Sequence, residues 1–124
     1  MAVSPAATGS YRQLYQGQPG TSAATLYTAP ASDANVPSPY ATAILNEIVL
    51  CNTTSSAATI TLYVVPSGGT AGAATAIISG FSVAAKDTVV LTGLRTAIPP
   101  SGTIQGVQGT ANAITVTISG AEVQ

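Results

Sequence analysis

The residue types that usually perform catalysis are scarce in this chain. Histidine is absent from all 124 residues, so no Ser-His-Asp triad, Cys-His pair or histidine metal site can form. The acidic residues are far apart in sequence. Two of them could still form the carboxylate pair of a glycosidase, but solvated positions in turns or at sheet edges are the simpler interpretation. The acidic residues are Asp33, Glu47, Asp87 and Glu122. We therefore expect no enzyme activity, no catalytic or metal-binding residue and no cofactor.

Glu47 is the acid with the most unusual surroundings, because it interrupts an apolar stretch that is typical of a β-strand. A carboxylate buried in such a strand costs several kcal/mol unless it is paired with a positive charge. Arg95 or Arg12 could be its partner, within the subunit or across an interface. Equally, Glu47 could lie at the edge of the core and reach water. We take Glu47 and Arg12 as candidate interface residues.

Three other features of the sequence have mainly structural explanations. The glycine-rich segment Pro66–Gly72 lacks the Lys-Ser/Thr and the helix that follow a phosphate loop, so it predicts a turn. Cys51 is the one cysteine, which rules out an intrachain disulfide, and its apolar strand suits a small buried side chain. A shallow sugar site lined by Tyr27, Tyr40 and Tyr63 is a weaker hypothesis, because such sites usually stack sugars on more aromatic rings.

The composition favours a protein that buries much of its surface against other subunits. Only 6% of the residues are charged, the net charge is −1, and 46% are hydrophobic. Such a surface gives little electrostatic protection against association. A neutral monomeric domain is the alternative. The basic residues Arg12, Lys86 and Arg95 are scattered, so we expect neither nucleic acid nor a membrane as a partner.

Two apolar stretches, Ala43–Asn52 and Ala58–Val65, form the centre of the predicted fold. The second alternates apolar and polar residues with the period of two that is typical of a strand. The first has apolar residues on both faces and so needs cover on both sides. With the polar turn Thr53–Ala57 between them, they predict a β-hairpin inside a sheet. Simple alternation along the first strand puts Ile44, Ile48 and Leu50 on one face and Leu45, Val49 and Cys51 on the other.

The rest of the chain repeats the same pattern of short strands and turns. About seven or eight strands are expected, with no helical periodicity, which is typical of an antiparallel sandwich or jelly roll. We predict an all-β fold with a single antiparallel β-sandwich or jelly-roll-like domain over residues 23–124. The further predicted strands are Ala24–Thr28, Ala76–Ile78, Thr88–Leu94, Thr103–Gln108 and Ile114–Val123.

Residues Met1–Ser22 contain few aliphatic side chains and predict an extended N-terminal arm. Tyr11, Leu14 and Tyr15 are the candidate anchors of this arm on a neighbouring subunit, because tyrosine offers a large contact area with a polar tip. A disordered tail is the alternative. The segment has neither the basic start nor the apolar run of a secretory signal, so we expect the chain to fold in a cytoplasm.

Three segments of the chain resemble small virion proteins of tailed bacteriophages. The similarity lies in a strand ending in Tyr-Thr-x-Pro, a Cys-Asn-Thr-Thr turn between two strands, and a closing Ala-x-Thr-Val-Thr-Ile-Ser-Gly strand. It covers the chain from Thr25 onward, about four-fifths of its length. The segments are TLYTAPA (Thr25–Ala31), ILNEIVLCNTTSSAATITLYVVPSGG (Ile44–Gly69) and TIQGVQGTANAITVTISGAEV (Thr103–Val123).

This resemblance implies a structural protein of a virion, assembled in the host cytoplasm, and no catalytic residue. The leading expectation is a capsid decoration or cement protein, a homotrimer that binds the major capsid protein or other virion proteins. The alternative is a tail-tip or fibre component that binds a glycan on the host surface.

Overall fold

The structure is a computed structural model that describes residues 9–34 and 40–123. The strands alternate apolar and polar residues and are separated by turns rich in glycine, proline and small polar residues, as the period-two pattern requires. The elements are β1 (Gly9–Gly17), β2 (Ala24–Thr28), β3 (Ala43–Asn52), β4 (Ala58–Val65), a 3₁₀ turn (Ala73–Thr75), β5 (Ala76–Val83), β6 (Thr88–Leu91), β7 (Thr96–Ile98), β8 (Thr103–Gln108) and β9 (Ile114–Val123).

The strands form two antiparallel sheets that pack face to face. The first sheet has the order β1-β9-β3-β6, and β7 pairs with β3 beside β6. The second sheet has the order β2-β8-β4-β5. If β6 and β7 are taken as one interrupted strand, this is the order of an eight-stranded jelly roll. Successive strands alternate between the sheets except for β4 and β5, which pair with each other in the second sheet. The predicted all-β sandwich of jelly-roll type is confirmed.

The core lies between the sheets and is built from the inward-facing alternate residues of the inner strands. These side chains are mostly isoleucine, leucine and valine, whose branched shapes pack well on pleated surfaces. Their removal from water is the main favourable term for folding. The largest fully buried apolar side chains are Leu45, Ile48, Leu50, Ile60, Leu62, Val65, Val83, Ile98, Ile104, Ile114 and Ile118.

The predicted hairpin of β3 and β4 is wrong, although both strands have the predicted bounds. β3 pairs with β9, β6 and β7, whereas β4 pairs with β5 and β8 in the other sheet. The turn between them therefore crosses from one sheet to the other. Local sequence does not distinguish a crossing turn from a hairpin turn, because both are short and polar.

The predicted faces of β3 also need correction, because a β-bulge lies between Leu45 and Glu47. The extra residue changes the phase of the alternation, so Leu45, Ile48 and Leu50 are all buried in the core. Glu47 consequently lies on the outer side and is half-buried. The carboxylate that interrupts the apolar run in the sequence is therefore outside the core.

Part of the expected N-terminal arm belongs to the sandwich. Gly9–Gly17 is extended, but it pairs along its length with β9 as an edge strand of the first sheet. Leu14 is buried in the core of the same domain, and Tyr15 packs against that core. The boundary expected near Ser22 is thus not a boundary between arm and body. Residues 1–8 lie outside the described part of the chain.

Two edge strands differ from their predicted extents for a local backbone reason. β5 continues through Gly80, which has a φ of +59° at a bulge opposite Thr61. The predicted strand Thr88–Leu94 ends at Leu91, and the chain resumes pairing with β3 only at Thr96. Between them, Gly93 and Arg95 have φ values of 70° and 49°, outside the strand region.

Replacement of Gly120 by alanine is expected to destabilise the fold by roughly 1–3 kcal/mol, the usual cost of forcing extra volume into a packed site. An added Cβ would lie 2.0 Å from the carbonyl oxygen of Ile44, so backbone would have to move. Chemical denaturation of Gly120→Ala measures the loss. The matched control is Gly20→Ala, whose Cβ would meet no atom within 4 Å. Equal stability of both variants and the native chain would contradict this account of β9.

Candidate assembly interface

The charged residues are kept away from the broad outer surfaces of the sandwich. All three basic and four acidic residues lie in the described part of the chain. Lys86 and Asp87 form the β5–β6 turn, Arg95 lies between β6 and β7, and Asp33 lies in the β2–β3 connection. The others sit at a sheet edge or on β3. The two sheets therefore present surfaces made largely of small neutral groups.

A polar cluster of three residues joins the two sheets at the edge formed by β1 and β2. Arg12 on β1 and Glu122 on β9 form an ion pair, with 2.9 Å between Nη1 and Oε1. The hydroxyl of Tyr27, on β2 of the second sheet, donates a hydrogen bond to the other carboxylate oxygen of Glu122 at 2.5 Å. Glu122 retains 13% side-chain exposure and Arg12 57%, so the guanidinium covers the carboxylate from the solvent side.

The surroundings of Tyr27 favour its neutral, hydrogen-donating form. Burial raises the pKa of Tyr27 strongly, and the hydrogen bond to Glu122 and the negative charge of that residue raise the pKa further. The positive charge of Arg12 acts in the opposite direction, but its effect is smaller. Tyr27 therefore remains a donor to Glu122 far into the alkaline range.

Two buried amides fix the turns at the end of the sandwich where β3 leads into β4. Asn52 donates to the carbonyl oxygens of Ser56 and Val83, and its side-chain oxygen accepts hydrogen bonds from the amide and hydroxyl of Thr54. Val83 belongs to β5, so Asn52 also links the two sheets. The Asn-Thr-Thr part of the turn thus has a structural role, because each hydrogen-bonding group of the buried amide is satisfied.

Gln108 acts in the same way on the neighbouring loops. Its Nε2 donates to the carbonyl oxygen of Pro19 at 2.6 Å, and its Oε1 accepts from the amide of Ile114 at 2.8 Å. The backbone amide of Gln108 also donates to the carbonyl oxygen of Gly20. These bonds hold the β1–β2 and β8–β9 loops together at this end of the molecule.

The outer surface of the first sheet, which we call the front face, is neutral except at one point. Val49 and Val90 lie side by side on it, and Val90 is 50% exposed. Glu47 is its one charged residue among those that the structure describes. The front-face residues are Tyr11, Gln13, Gln16, Ile44, Glu47, Val49, Cys51, Thr88, Val90, Ala97, Thr115, Thr117, Ser119 and Ala121.

The outer surface of the second sheet, the back face, carries no charge among its described strand residues. Threonine, serine and glutamine side chains dominate it, and Tyr63 is its largest group. Its members follow from the pairing register and the burial pattern. They are Thr25, Thr59, Thr61, Tyr63, Ala76, Ser82, Gln105 and Val107.

The structure separates the five residues that the sequence suggested for interfaces. Leu14 is part of the domain's own core, so its expected role as an arm anchor must be revised. Tyr15 packs partly against the same core. Tyr11 is 64% exposed and is free to contact a neighbour. Arg12 pairs with Glu122, and Glu47 has no ion pair among the described residues.

The three tyrosines proposed for a shared sugar site do not line one surface. Tyr27 points its hydroxyl between the sheets to Glu122, whereas Tyr63 lies on the back face. Tyr40 is 67% exposed in the β2–β3 connection. Cys51, expected to be buried, is a half-buried free thiol on the front face. These positions provide no common aromatic platform.

The part of the chain that the structure describes contains no enclosed site. Residues 9–34 and 40–123 form no pocket. In the same residues, His, Cys, Asp and Glu nowhere gather in the groups of three or more that hold metal ions. Neither does this part of the chain contain a helix long and apolar enough to span a membrane. The features that remain for function are the outer faces, edges and loops.

Sequence reasoning missed Tyr27 and Glu122 as partners and Val90 as an exposed apolar residue. Tyr27 and Glu122 are 95 positions apart, and only the order of strands brings them together. The alternation of β6 did carry a signal for Val90, because Val89 and Leu91 face the core and Val90 must then face outward.

The fold and its neutral faces define a jelly-roll sandwich domain, and similar folds occur among solved viral structures. A chain in the structure of infectious bursal disease virus, Gx strain, aligns with a TM-score of 0.52 and 16% identity over 94% of this chain. This chain spans only 32% of that longer chain. A chain of the cyanophage Pam1 capsid asymmetric unit aligns over 99% of this chain and 89% of its own, with 16% identity and a TM-score of 0.41.

These likenesses concern the fold. At 16% identity the first alignment shows a shared jelly-roll architecture, and the second adds no weight because its TM-score is low. No family model matches the chain, and no curated protein matches it. Function must therefore be argued from the surfaces of this chain.

Replacement of Tyr27 by phenylalanine is expected to cost about 1.5–3 kcal/mol of unfolding free energy, the usual value of a hydrogen bond to a charged group. The variant keeps the ring in place but leaves one oxygen of Glu122 without its donor. Tyr40→Phe is the matched control, because Tyr40 is largely exposed. Denaturant titration at neutral pH measures both, and equal losses would contradict the role of the inter-sheet cluster.

The same pair of variants gives a pH test. The folded-state pKa of Tyr27 is raised above the ordinary tyrosine value of about 10, so the folded chain holds this proton more tightly than the unfolded chain. The stabilisation is complete below about pH 10 and falls as the pH rises above it. The native chain should therefore lose stability more steeply above about pH 10 than Tyr27→Phe, and parallel curves would contradict the assignment.

Proposed function

We propose that this chain is a non-enzymatic structural protein of a virus particle that works by contact with copies of itself and with other virion proteins. The observation that carries the proposal is the pairing of a jelly-roll fold with two broad, nearly uncharged sheet faces. Such faces can approach one another without removing ions from water, which is the main cost at charged interfaces. The fold shared with a chain of a bursal disease virus structure supports the same role.

Within this role, decoration or cementing of a capsid is the finer proposal. The resemblance of three sequence segments to small virion proteins of tailed bacteriophages supports it, and a homotrimer is the expected oligomer. A protein of this kind stabilises a shell because each contact that it adds must be broken before neighbouring capsomers can separate. Tyr11, exposed on the edge strand β1, is the candidate contact nearest to residues 1–8.

A glycan-binding tail or fibre component is the other function that the sequence suggested. No observation of the structure favours it specifically, because Tyr27, Tyr40 and Tyr63 lie on different parts of the surface. Screening the purified chain on a glycan array would test it, and specific binding that Tyr40→Ala abolishes would revive it.

The proposal predicts that the purified chain co-sediments with emptied virus heads at a fixed ratio of copies per head. Saturation is the important feature, because a structural component occupies a defined set of equivalent sites. Sedimentation with increasing amounts of chain, followed by quantitation of the pellet, measures this ratio. Binding to tails but not heads would support the virion role and overturn decoration, whereas no binding to either would overturn both.

A test of whether the N-terminus binds virus heads requires a deletion shorter than the expected arm, because part of that arm is a strand of the sandwich. Removing residues 2–8 leaves β1 complete, so the sandwich should keep its stability while head binding falls. Removing residues 2–20 should instead unfold the domain, because it deletes β1 and the buried Leu14. Thermal unfolding and head co-sedimentation separate the two effects. Full head binding by the shorter variant would show that residues 2–8 are not the anchor.

A further inference from the structure

Two chain segments that carry opposite charges, Glu47 and Arg95, run beside each other at the front face, and the two residues form no ion pair. Glu47 is half-buried on β3, and Arg95 is exposed in the loop between β6 and β7. The amide of Leu94 donates to the carbonyl oxygen of Asn46, so the loop runs directly along the bulge that carries Glu47. Among residues 9–34 and 40–123, the ion pair that forms is that of Arg12 with Glu122.

The backbone at Arg95 is unfavourable for an arginine. Its φ of 49° lies in the left-handed region that glycine and asparagine occupy more readily. Lys86 has a similar φ, but its ammonium group donates to the carbonyl oxygen of Thr53 and so has a use within the chain. Arg95 has no such contact with the described residues. Backbone strain of this kind is often found at functional positions. Arg95 is therefore a candidate for a contact outside the subunit.

The rest of the front face has the character of a surface that becomes covered. Val49 and Val90 form an apolar pair at its centre, and Ile44 lies further along β3. The strand itself is apolar on both sides, which is the pattern of a strand with cover on both faces. Within the described chain, however, cover is present only on the core side.

We propose that the front face binds the front face of a second copy of this chain about a two-fold axis, with Glu47 of each copy paired with Arg95 of the other. A two-fold axis that passes between the acid and the base of this patch brings Glu47 of one copy opposite Arg95 of the other, and the reverse. The apolar pair Val49 and Val90 then becomes buried between the copies. The contact rests on the assembly role proposed above and specifies its surface, and it can exist in addition to contacts of a trimer.

The pair of Glu47 and Arg95 contributes more to the specificity of the contact than to its affinity. Complementary charges at an interface give specificity, and like charges in contact are strongly unfavourable. Glu47→Lys would place lysine against Arg95 twice in each dimer, and Arg95→Glu would place glutamate against Glu47 twice. Each variant alone should raise the dissociation constant on the order of a hundredfold, since the symmetry repeats the repulsion.

The decisive experiment mixes the two charge-reversed variants. In a mixed dimer, the new lysine of one copy meets the new glutamate of the other, while the native Arg95 and Glu47 form the second pair. Analytical ultracentrifugation should therefore show weak association of each variant alone and restored association of the mixture. Restoration requires contact between copies, since charges that pair only within a subunit cannot be repaired by mixing.

Two further variants separate association from folding. Arg95→Gly removes the charge and suits the left-handed backbone, so it should fold at least as stably as the native chain while associating more weakly. Lys86→Glu makes a charge reversal equal to that of Arg95→Glu, but in the β5–β6 turn, and should associate like the native chain. Equal weakening by Lys86→Glu would attribute the effect to net charge and overturn the proposal.

Cys51 provides a probe of coverage, because it is a half-buried free thiol on the front face. Its rate of alkylation in the native chain should fall as the protein concentration rises, and should stay constant in Arg95→Glu. A rate independent of concentration while the native chain associates would place the contact on another surface. A chain that stays monomeric, or a mixture that fails to associate, would also overturn the two-fold contact, yet saturable binding to heads would still uphold the virion role.

Discussion

The close approach of β9 to β3 at Gly120 determines how the first sheet is built. Only a residue without a side chain fits there, because the carbonyl oxygen of Ile44 occupies the space of a Cβ. Directly beyond this contact, β3 takes in an extra residue, and the bulge returns Leu45 and Ile48 to the same side. The core therefore stays continuous, and the only carboxylate of the strand is sent outward. The interruption between β6 and β7 lies beside the same bulge, where the amide of Leu94 donates to the carbonyl oxygen of Asn46.

The extents of many strands could be predicted from the sequence, but their partners could not. β2, β3, β4, β8 and β9 have the predicted bounds, because each is an alternating or apolar run that ends in a clear turn signal. Pairing depends on contacts between distant segments, so the hairpin of β3 and β4 was a wrong inference from their adjacency. β1 was missed because its polar composition resembles that of a tail. Its one buried leucine, Leu14, acquires meaning only when β9 lies beside it.

The candidate interface was predictable to a similar, partial degree. Low charge pointed correctly to broad neutral surfaces, because composition is independent of how the chain folds. Which charged residues meet depends on strand order instead. Arg12 was recognised, but its partner Glu122 is 110 positions away, and Tyr27 reaches the pair from the other sheet. Likewise, the bulge in β3 is invisible in the alternation, so Leu45 was expected on the face of Val49 and Cys51, whereas it is buried in the core.

Because charged residues are scarce in this chain, each of them would have an unusual influence on the proposed assembly. Arg12 and Glu122 neutralise each other where they close the edge of the sandwich, and the side chains of Lys86 and Asp87 bond to nearby backbone groups. Around the front face, Glu47 and Arg95 remain as the groups that can tell one docking orientation from another. Neutral sheet surfaces supply contact area in almost any orientation, since hydrophobic contact is non-directional. A single pair of opposite charges can then favour one orientation, because an arrangement that covers Glu47 without placing Arg95 opposite it leaves a carboxylate covered and unpaired.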